Sequence, residues 1–391
     1  MMQQILSFIP LFVTFFWFLL LLLDNKKNIS KKLLTVFFRL CSILYFSHFA
    51  FFNHQYELYK ILDNIWVFIS LSVYPIYYYY IRLLTKDAEI KWKWLWLISP
   101  ALIVSITSLV IYSLMNNDEV NMFVKGILFD EGLTNPYPKV VQIQSFRNLI
   151  FKIIFSIELI LTVTFSLKLL IEYNKKVNEF YSNMGGKDMT QFKWVMFGLL
   201  ITAIISLISN LIGKSYFITN PLLLFIPSLT HSTVLYFIGY VGYKQNFTVV
   251  DLERDIQEHT SKNDVTQNET CLITNKNNNE KHIKQLLNLF EEKQIFKNPD
   301  LRITDVALLM GSNRTYMSNM LNMNMNTSFN ELVNSYRVEY AVKLLRSTES
   351  ENMPMADIAI EAGFPSLSTF YRIFKNKTGI SPGEYRTQVA K

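Results

Sequence analysis

Met355-Ala356-Asp357-Ile358-Ala359-Ile360-Glu361-Ala362-Gly363-Phe364 sets a small residue, Ala359, four positions ahead of a glycine. Thr304-Asp305-Val306-Ala307-Leu308-Leu309-Met310-Gly311 does the same with Ala307 and Gly311, at an offset of 52 residues. A helix that ends on glycine ends where positive φ is wanted, and a small residue one turn earlier lets a second helix cross closely. Each stretch predicts a short helix, a tight turn and a second helix, with Thr304 expected to cap the first. The second helices are expected at about 313–322, packing Tyr316, Met317, Met320 and Leu321, and at about 366–376, capped by Ser366 and packing Phe370, Ile373 and Phe374.

The second of these helices leaves Ser368, Tyr371, Arg372 and Lys375 on its open face. Between the two units, Phe329, Leu332, Val333, Tyr336, Val338, Ala341, Leu344 and Leu345 recur at helical spacing and predict a long spacer over about 328–347. Upstream, Ile283, Leu286, Leu287, Phe290 and Phe296 share one face. Ahead of these, 244–280 changes composition to Asn, Lys, Thr, Glu and Asp, which bury too little apolar area to fold alone. That segment reads as a flexible linker, although Val249, Val250, Leu252 and Ile256 would also suit a short helix over about 249–258.

Before the linker the chain wants a different solvent. Half of the 391 residues are apolar, 15% are aromatic and only 18% are charged, against about a quarter in soluble domains. A bilayer core of about 30 Å needs about 20 mostly apolar residues per helix. Seven such runs occur, at about 5–23, 33–52, 61–81, 94–115, 148–171, 194–212 and 221–242. The first has no Lys or Arg before it and no small-residue cleavage site after it, so it is expected to be a retained span.

Basic residues in the connections set the orientation. The first, third and fifth hold Lys26, Lys27, Lys31, Lys32, Arg82, Lys86, Lys91, Lys93, Lys168, Lys175, Lys176, Lys187 and Lys193. The even ones hold only Lys60, Lys125, Lys139, Arg147 and Lys214, with Asp118, Glu119, Asp130 and Glu131 alongside. The odd connections are therefore expected in the cytoplasm, the N-terminus outside and everything after the seventh span inside. Trp92, Trp94 and Trp96, like Tyr77 to Tyr80, fall where an interfacial aromatic belt belongs.

Arg39, His48, Glu158 and His231 are the main polar residues within the spans. A charge in hydrocarbon normally faces the bundle or a wet cavity. Arg39, Glu158 and His231 are therefore candidate sensing residues, through a ligand pocket or an Arg39–Glu158 switch pair. Snorkelling near a span end is the competing reading. The outer connection 116–147, with the turn signal Asn135-Pro136-Tyr137-Pro138, would either cap an outward pocket or simply connect.

No phosphate loop, kinase signature, metal cluster or catalytic triad spacing occurs, so neither an enzyme nor a cofactor is expected. Cys41 and Cys271, the two cysteines, make neither a disulfide framework nor a zinc site. The net charge of +7 suits nucleic acid or an anionic membrane surface.

Residues 300–386 resemble the AraC/XylS-type DNA-binding domain. The resemblance rests on Asp305-Val306-Ala307 with Gly311, on Arg337-Val338 with Ala341 and Leu344-Leu345, and on Ile358-Ala359, Gly363-Phe364, Ser368, Phe370, Arg372, Phe374-Lys375, Gly379-Ile380-Ser381-Pro382 and Tyr385-Arg386. Together with seven spans, the chain resembles membrane-tethered regulators of this family in Bacteroidetes-like bacteria. The resemblance implies that both second helices enter successive major grooves of DNA. By position, Arg314, Thr315, Ser318 and Asn319 would face DNA from the first, and Leu367, Ser368, Tyr371 and Arg372 from the second. Arg372 would take guanine O6 and N7 together, while Lys375 and Lys377 would hold phosphates. The sequence departs from the family at Asn319 and at Asn322-Met323-Asn324-Met325-Asn326, where basic residues are usual, so pairing of two chains would aid binding.

These readings combine into an all-α protein: a seven-helix membrane bundle over 1–243, a linker over 244–280 and a double helix-turn-helix domain over 281–391. Its expected function is a regulator in the inner membrane whose partners are promoter DNA, lipid, RNA polymerase, a second copy of itself and a small-molecule or peptide signal. The rival reading is a membrane receptor or transporter whose helical tail binds protein.

Overall fold

The computed structural model describes residues 2–24, 28–129, 136–212, 216–217, 220–261, 276–347 and 353–389. Lys26, Lys27, Asp130, Glu131, Asn135, Lys214 and Cys271 lie outside the described residues. The protein is all-α. Among the described residues the sole β-type pairing is a single antiparallel bridge between Tyr181 and Arg302. The chain divides into two compact units, Met1–Ile171 with Met189–Val249, and Glu172–Asp188 with Val250–Lys391.

The first unit contains α1 (Met2–Leu23), α2 (Ile29–Phe52), α3 (Tyr56–Thr85), a 3-10 turn (Trp92–Ile98) leading into α4 (Ser99–Leu114), and the short α5 (Asn117–Asn121). Then come α6 (Lys139–Phe180), α7 (Thr190–Ile212) and α8 (Phe225–Lys244). Seven helices are long and apolar enough to cross a membrane by length and composition, as the seven apolar runs predict. α1 packs between α2 and α8, and α3 bridges α2 and α4. Gly239 of α8 lets Trp17 of α1 settle on the backbone, because a Cβ there would stand 2.2 Å from the indole. Pro10, inside α1, leaves the carbonyl of Leu6 without its helical donor. The hydroxyl of Ser228 on α8 donates to that carbonyl instead.

The first part of the connection after α4 is helical. α5 continues into a π-helical turn (Met122–Leu128), whose Phe123 and Val124 are buried against Phe51 and Tyr59.

The second unit contains the end of α6, α9 (Val249–Ser261), α10 (Lys276–Glu291), α11 (Ile303–Leu309), α12 (Arg314–Asn324), α13 (Phe329–Arg346), α14 (Met355–Glu361), α15 (Leu367–Thr378) and α16 (Pro382–Val389). The first part of the expected linker is thus helix α9, with Leu252 buried. Two motifs of short helix, turn and second helix hang on the spacer α13. Around the second motif, Val338, Ala341, Ile358, Ala359, Phe364, Phe370 and Phe374 form one core.

Gly311 and Gly363 end α11 and α14 at φ of 61° and 81°. Ser366 and Asn313 cap the second helices by accepting from the N–H groups of Thr369 (3.2 Å) and Tyr316 (2.8 Å). Thr304 does not cap α11. It lies buried inside the first turn, and the helix is capped two residues earlier, at Arg302, whose N–H donates to Asp305 at 2.8 Å. The carboxylate of Asp305, at the third helical position, closes the entry in the manner of a capping box and moves the start upstream of the hydroxyl.

Candidate nucleic-acid interface

α15 presents an open face. Leu367, Ser368, Tyr371, Arg372, Lys375 and Lys377 are all exposed, while Phe370 and Phe374 turn inward. Lys377 reaches back to the hydroxyl of Ser335 on the spacer at 3.1 Å. Two cations, Arg372 and Lys375, with the hydroxyl of Tyr371 beside them, give that face its positive field. A helix of this length spans about 18 Å and fits a B-DNA major groove about 12 Å wide.

α12 is arranged differently. Thr315 and Asn319 are exposed, whereas Ser318 is half-buried and Arg314 is turned aside. The Arg314 guanidinium lies over the ring of Phe180, 5.4 Å from its centroid, and burial lowers its pKa against the pull of Glu179. Asn322, one turn beyond Ser318, donates to Glu179 at 3.5 Å and to Ser318 at 3.4 Å. The four residues expected on the first reading helix therefore split between an open side, Thr315 and Asn319, and a covered side, Arg314 and Ser318.

The spacer carries a side chain whose structural role sequence reasoning missed. Arg337 is fully buried and donates to the carbonyls of Phe296 (2.8 Å) and Asn298 (2.7 Å) and to the hydroxyl of Ser182 (3.3 Å). Burial pushes its guanidinium down to about 10, with Asp300 pulling the other way. A buried guanidinium with three oxygen acceptors fixes α13 against the turn 294–298. Nothing in the local pattern signals this, because the acceptors are two main-chain oxygens about 40 residues away and a hydroxyl 155 residues away.

In the first unit, the expected sensing residues are not brought together. Arg39 is exposed on α2, and no ion pair joins it to Glu158 among the described residues. Glu158 is buried, and neither carboxylate oxygen has a hydrogen-bond partner among the described residues. His231 is held by Ser206 at 3.0 Å and by the carbonyl of Pro227 at 2.7 Å.

Two cavities, of about 140 Å³ and about 340 Å³, share Tyr45, His48, Ser206 and His231 in their walls and are otherwise mostly apolar. A buried ion pair went unforeseen. Arg147, counted among loop residues from sequence, lies in α6 and pairs with Asp63 of α3 at 2.7 Å, with Tyr112 donating to the same oxygen at 2.9 Å. Ser108 and Gln144 complete this cluster.

Comparison with known proteins follows the same division of the chain. Residues 299–388 match the model of a family described as "Helix-turn-helix domain". The last quarter of the chain carries an AraC-type helix-turn-helix domain. An HTH-type transcriptional regulator of Bacillus subtilis, YtdP, is 35% identical over 89 residues, covering 23% of this chain and 11% of that protein. The melibiose operon regulatory protein of Escherichia coli K12 is 30% identical over 117 residues, covering 29% and 37%. The TCP pilus virulence regulatory protein of Vibrio cholerae is 31% identical over 84 residues, covering 22% and 29%. The similarity thus spans between about a tenth and two fifths of these relatives' lengths. Among solved structures, the C-terminal domain of AraT, a response regulator from Geobacillus stearothermophilus, is 29% identical and covers 27% of this chain and 84% of that one, at a TM-score of 0.25.

Proposed function

We propose that this chain is a membrane-anchored, sequence-specific DNA-binding transcription regulator. One observation carries the reading: α15, the second helix of an AraC-type unit, holds Ser368, Tyr371, Arg372 and Lys375 on one open face, backed by a packed core. Arg372 reads a guanine, Lys375 and Lys377 bind phosphate, and α12 contributes Thr315 and Asn319 with Arg314 and Ser318 in reserve. Relatives that are transcriptional regulators support this reading of the domain.

The anchor rests on seven long apolar helices whose outward side chains are large and hydrophobic. Phe12 on α1 and Ile103 on α4 are more than half exposed, as suits lipid rather than water. The basic residues of the odd connections support a cytoplasmic second unit and an inner-membrane location. The cavities ringed by Tyr45, His48, Ser206 and His231 suit a lipophilic signal with a hydrogen-bonding head, and His231 in their walls supports a sensing role for that residue. Promoter DNA and lipid are the primary partners. RNA polymerase and a second copy follow from the regulator role.

The test is selection of bound duplexes from a random DNA library by the full chain in nanodiscs, at two salt concentrations, with Arg372→Ala as control. A defined motif that blurs at one position in the variant upholds the reading. Salt-sensitive but sequence-blind retention, or none, favours a membrane protein whose helical tail binds protein.

A further inference from the structure

The segment Glu172–Asp188, the end of α6 and the turn after it, belongs to the second unit although α7 and α8 separate it from the rest of that unit in sequence. It is bound to each part of the first helix-turn-helix motif. At α11, the N–H of Ser182 donates to the carbonyl of Leu301 at 3.2 Å, and Tyr181 pairs with Arg302 as a β-bridge. At α12, Phe180 lies under the guanidinium of Arg314, and Glu179 receives Asn322. At α13, Asn178 donates to the capping hydroxyl of Ser328 at 3.0 Å, and Asn330 donates to the carbonyls of Tyr181 (3.2 Å) and Ser182 (2.8 Å). Tyr181 also donates its hydroxyl to Asp255 of α9.

On the reading helix the contacts fall on Arg314 and Asn322, and Ser318 is joined to them through Asn322. Residues 314, 318 and 322 lie along one face at four-residue spacing, and 315 and 319 lie beside it. The covered stripe holds the single cation of α12. Glu179 places a carboxylate beside it, which disfavours an approaching phosphate. Beside the rings of Phe180 and Tyr181 and the main-chain bond from Ser182 to Leu301, the contacts run through the Glu179 carboxylate and through side-chain amides and hydroxyls, whose bonds water can replace. Arg337 keeps both of its main-chain acceptors, at Phe296 and Asn298, without Ser182. The tie between the spacer and the turn 294–298 therefore does not depend on the segment.

We propose that Glu172–Asp188 is a clasp that withholds the first reading helix from DNA, so that Arg314 and Ser318 reach the groove only after the clasp lets go. The proposal rests on the DNA-binding reading above. Phe180 is the last residue of α6, the helix Lys139–Phe180. α15 is untouched by the clasp and keeps its own DNA site. The clasped protein reads one block of sequence and the released protein reads two.

The experiment uses the full chain in phosphatidylcholine–phosphatidylglycerol nanodiscs and the same library selection. The clasped chain is expected to yield one block. Phe180→Ala with Asn178→Ala is expected to add a second block and tighten binding to the two-block duplex about tenfold. Adding Arg314→Ala to that pair is expected to cancel the gain. In the opposite direction, Ser182→Cys and Asn330→Cys, in a background with Cys41→Ser and Cys271→Ser, are joined by a cleavable thiol cross-linker. The joined form should lose the second block and recover it on cleavage in any released background, independent of whether the alanine pair folds well. An unchanged single block in both series, with Arg372→Ala still blurring it, overturns the clasp and leaves DNA reading intact. Sequence-blind binding by every form overturns both.

Discussion

Arg147 Nη1 and Asp63 Oδ2 lie 2.7 Å apart with both side chains almost wholly buried, joining α6 to α3. A buried pair is costly to form and costlier to break, because removing one partner strands the other charge in low dielectric. Arg147→Ala should lower stability by about 3–5 kcal/mol. Arg147→Met with Asp63→Leu should recover most of that. Thermal unfolding in detergent measures both, and a double variant no better than the single would show that the cluster is held by something other than the charge pair.

Ser228 supplies the donor that Pro10 denies to Leu6. Ser228→Ala should cost about 1–3 kcal/mol by orphaning a buried carbonyl. In a Pro10→Ala background the N–H at position 10 returns to that carbonyl and the serine matters less. A double-mutant cycle reads the coupling. Equal costs in both backgrounds would refute the link.

Gly363 and Gly311 share a left-handed turn but differ in surroundings. A Cβ at 363 would stand 2.5 Å from the carbonyl oxygen of Phe296, whereas nothing lies within 4 Å of one at 311. Gly311→Ala carries only the backbone penalty, about 1–2 kcal/mol. Gly363→Ala adds a clash with main chain and should be clearly worse, to the point of unfolding the second motif. Denaturant melts of the two variants rank them.

Lys375 and Arg372 sit on the same face of α15 but are assigned different tasks. Arg372→Ala should cost about 1–3 kcal/mol and relax one base position. Lys375→Ala should weaken all sequences alike and reduce the salt slope by about 1. Titrations of matched and mismatched duplexes at several salt concentrations separate the two. Identical behaviour would remove the distinction.

Glu384 closes the start of α16 by accepting from the N–H of Ser381 at 2.7 Å, and that bond lowers its pKa. A carboxylate depressed in the folded state stabilises above its unfolded pKa and loses that contribution as pH falls through the folded value. Glu384→Gln should therefore melt earlier at pH 7. The gap to the parent should close in the acid range below the ordinary carboxylate value of about 4.3. A gap constant with pH would mean that the cap works through shape rather than charge.

What the residues revealed in advance follows the range of the interactions. The two motifs, their caps at Ser366 and their glycine ends are local, and a dozen neighbouring residues suffice to recognise them. The seven apolar runs are equally local, since each helix meets its own hydrocarbon requirement. The misplaced cap at Thr304 shows the limit even there, because two donor–acceptor schemes two residues apart both fit the sequence. Arg147 reads as a loop cation until Asp63, 84 residues away, is beside it. The docking of 178–182 on α11, α12 and α13 has no periodic signature, because it runs through amides, hydroxyls and main-chain oxygens about 120 to 155 residues apart.

That the second unit draws one of its pieces from ahead of α7 ties it to the order of synthesis. As the ribosome works from N- to C-terminus, Glu172–Asp188 is made first and waits, unpartnered, while α7 and α8 are translated and inserted. The unit closes only when α11 to α13 emerge. Before that, Phe180, fully buried in the finished unit, lacks its cover from Arg314, so a stalled or truncated nascent chain presents this ring to chaperones and proteases.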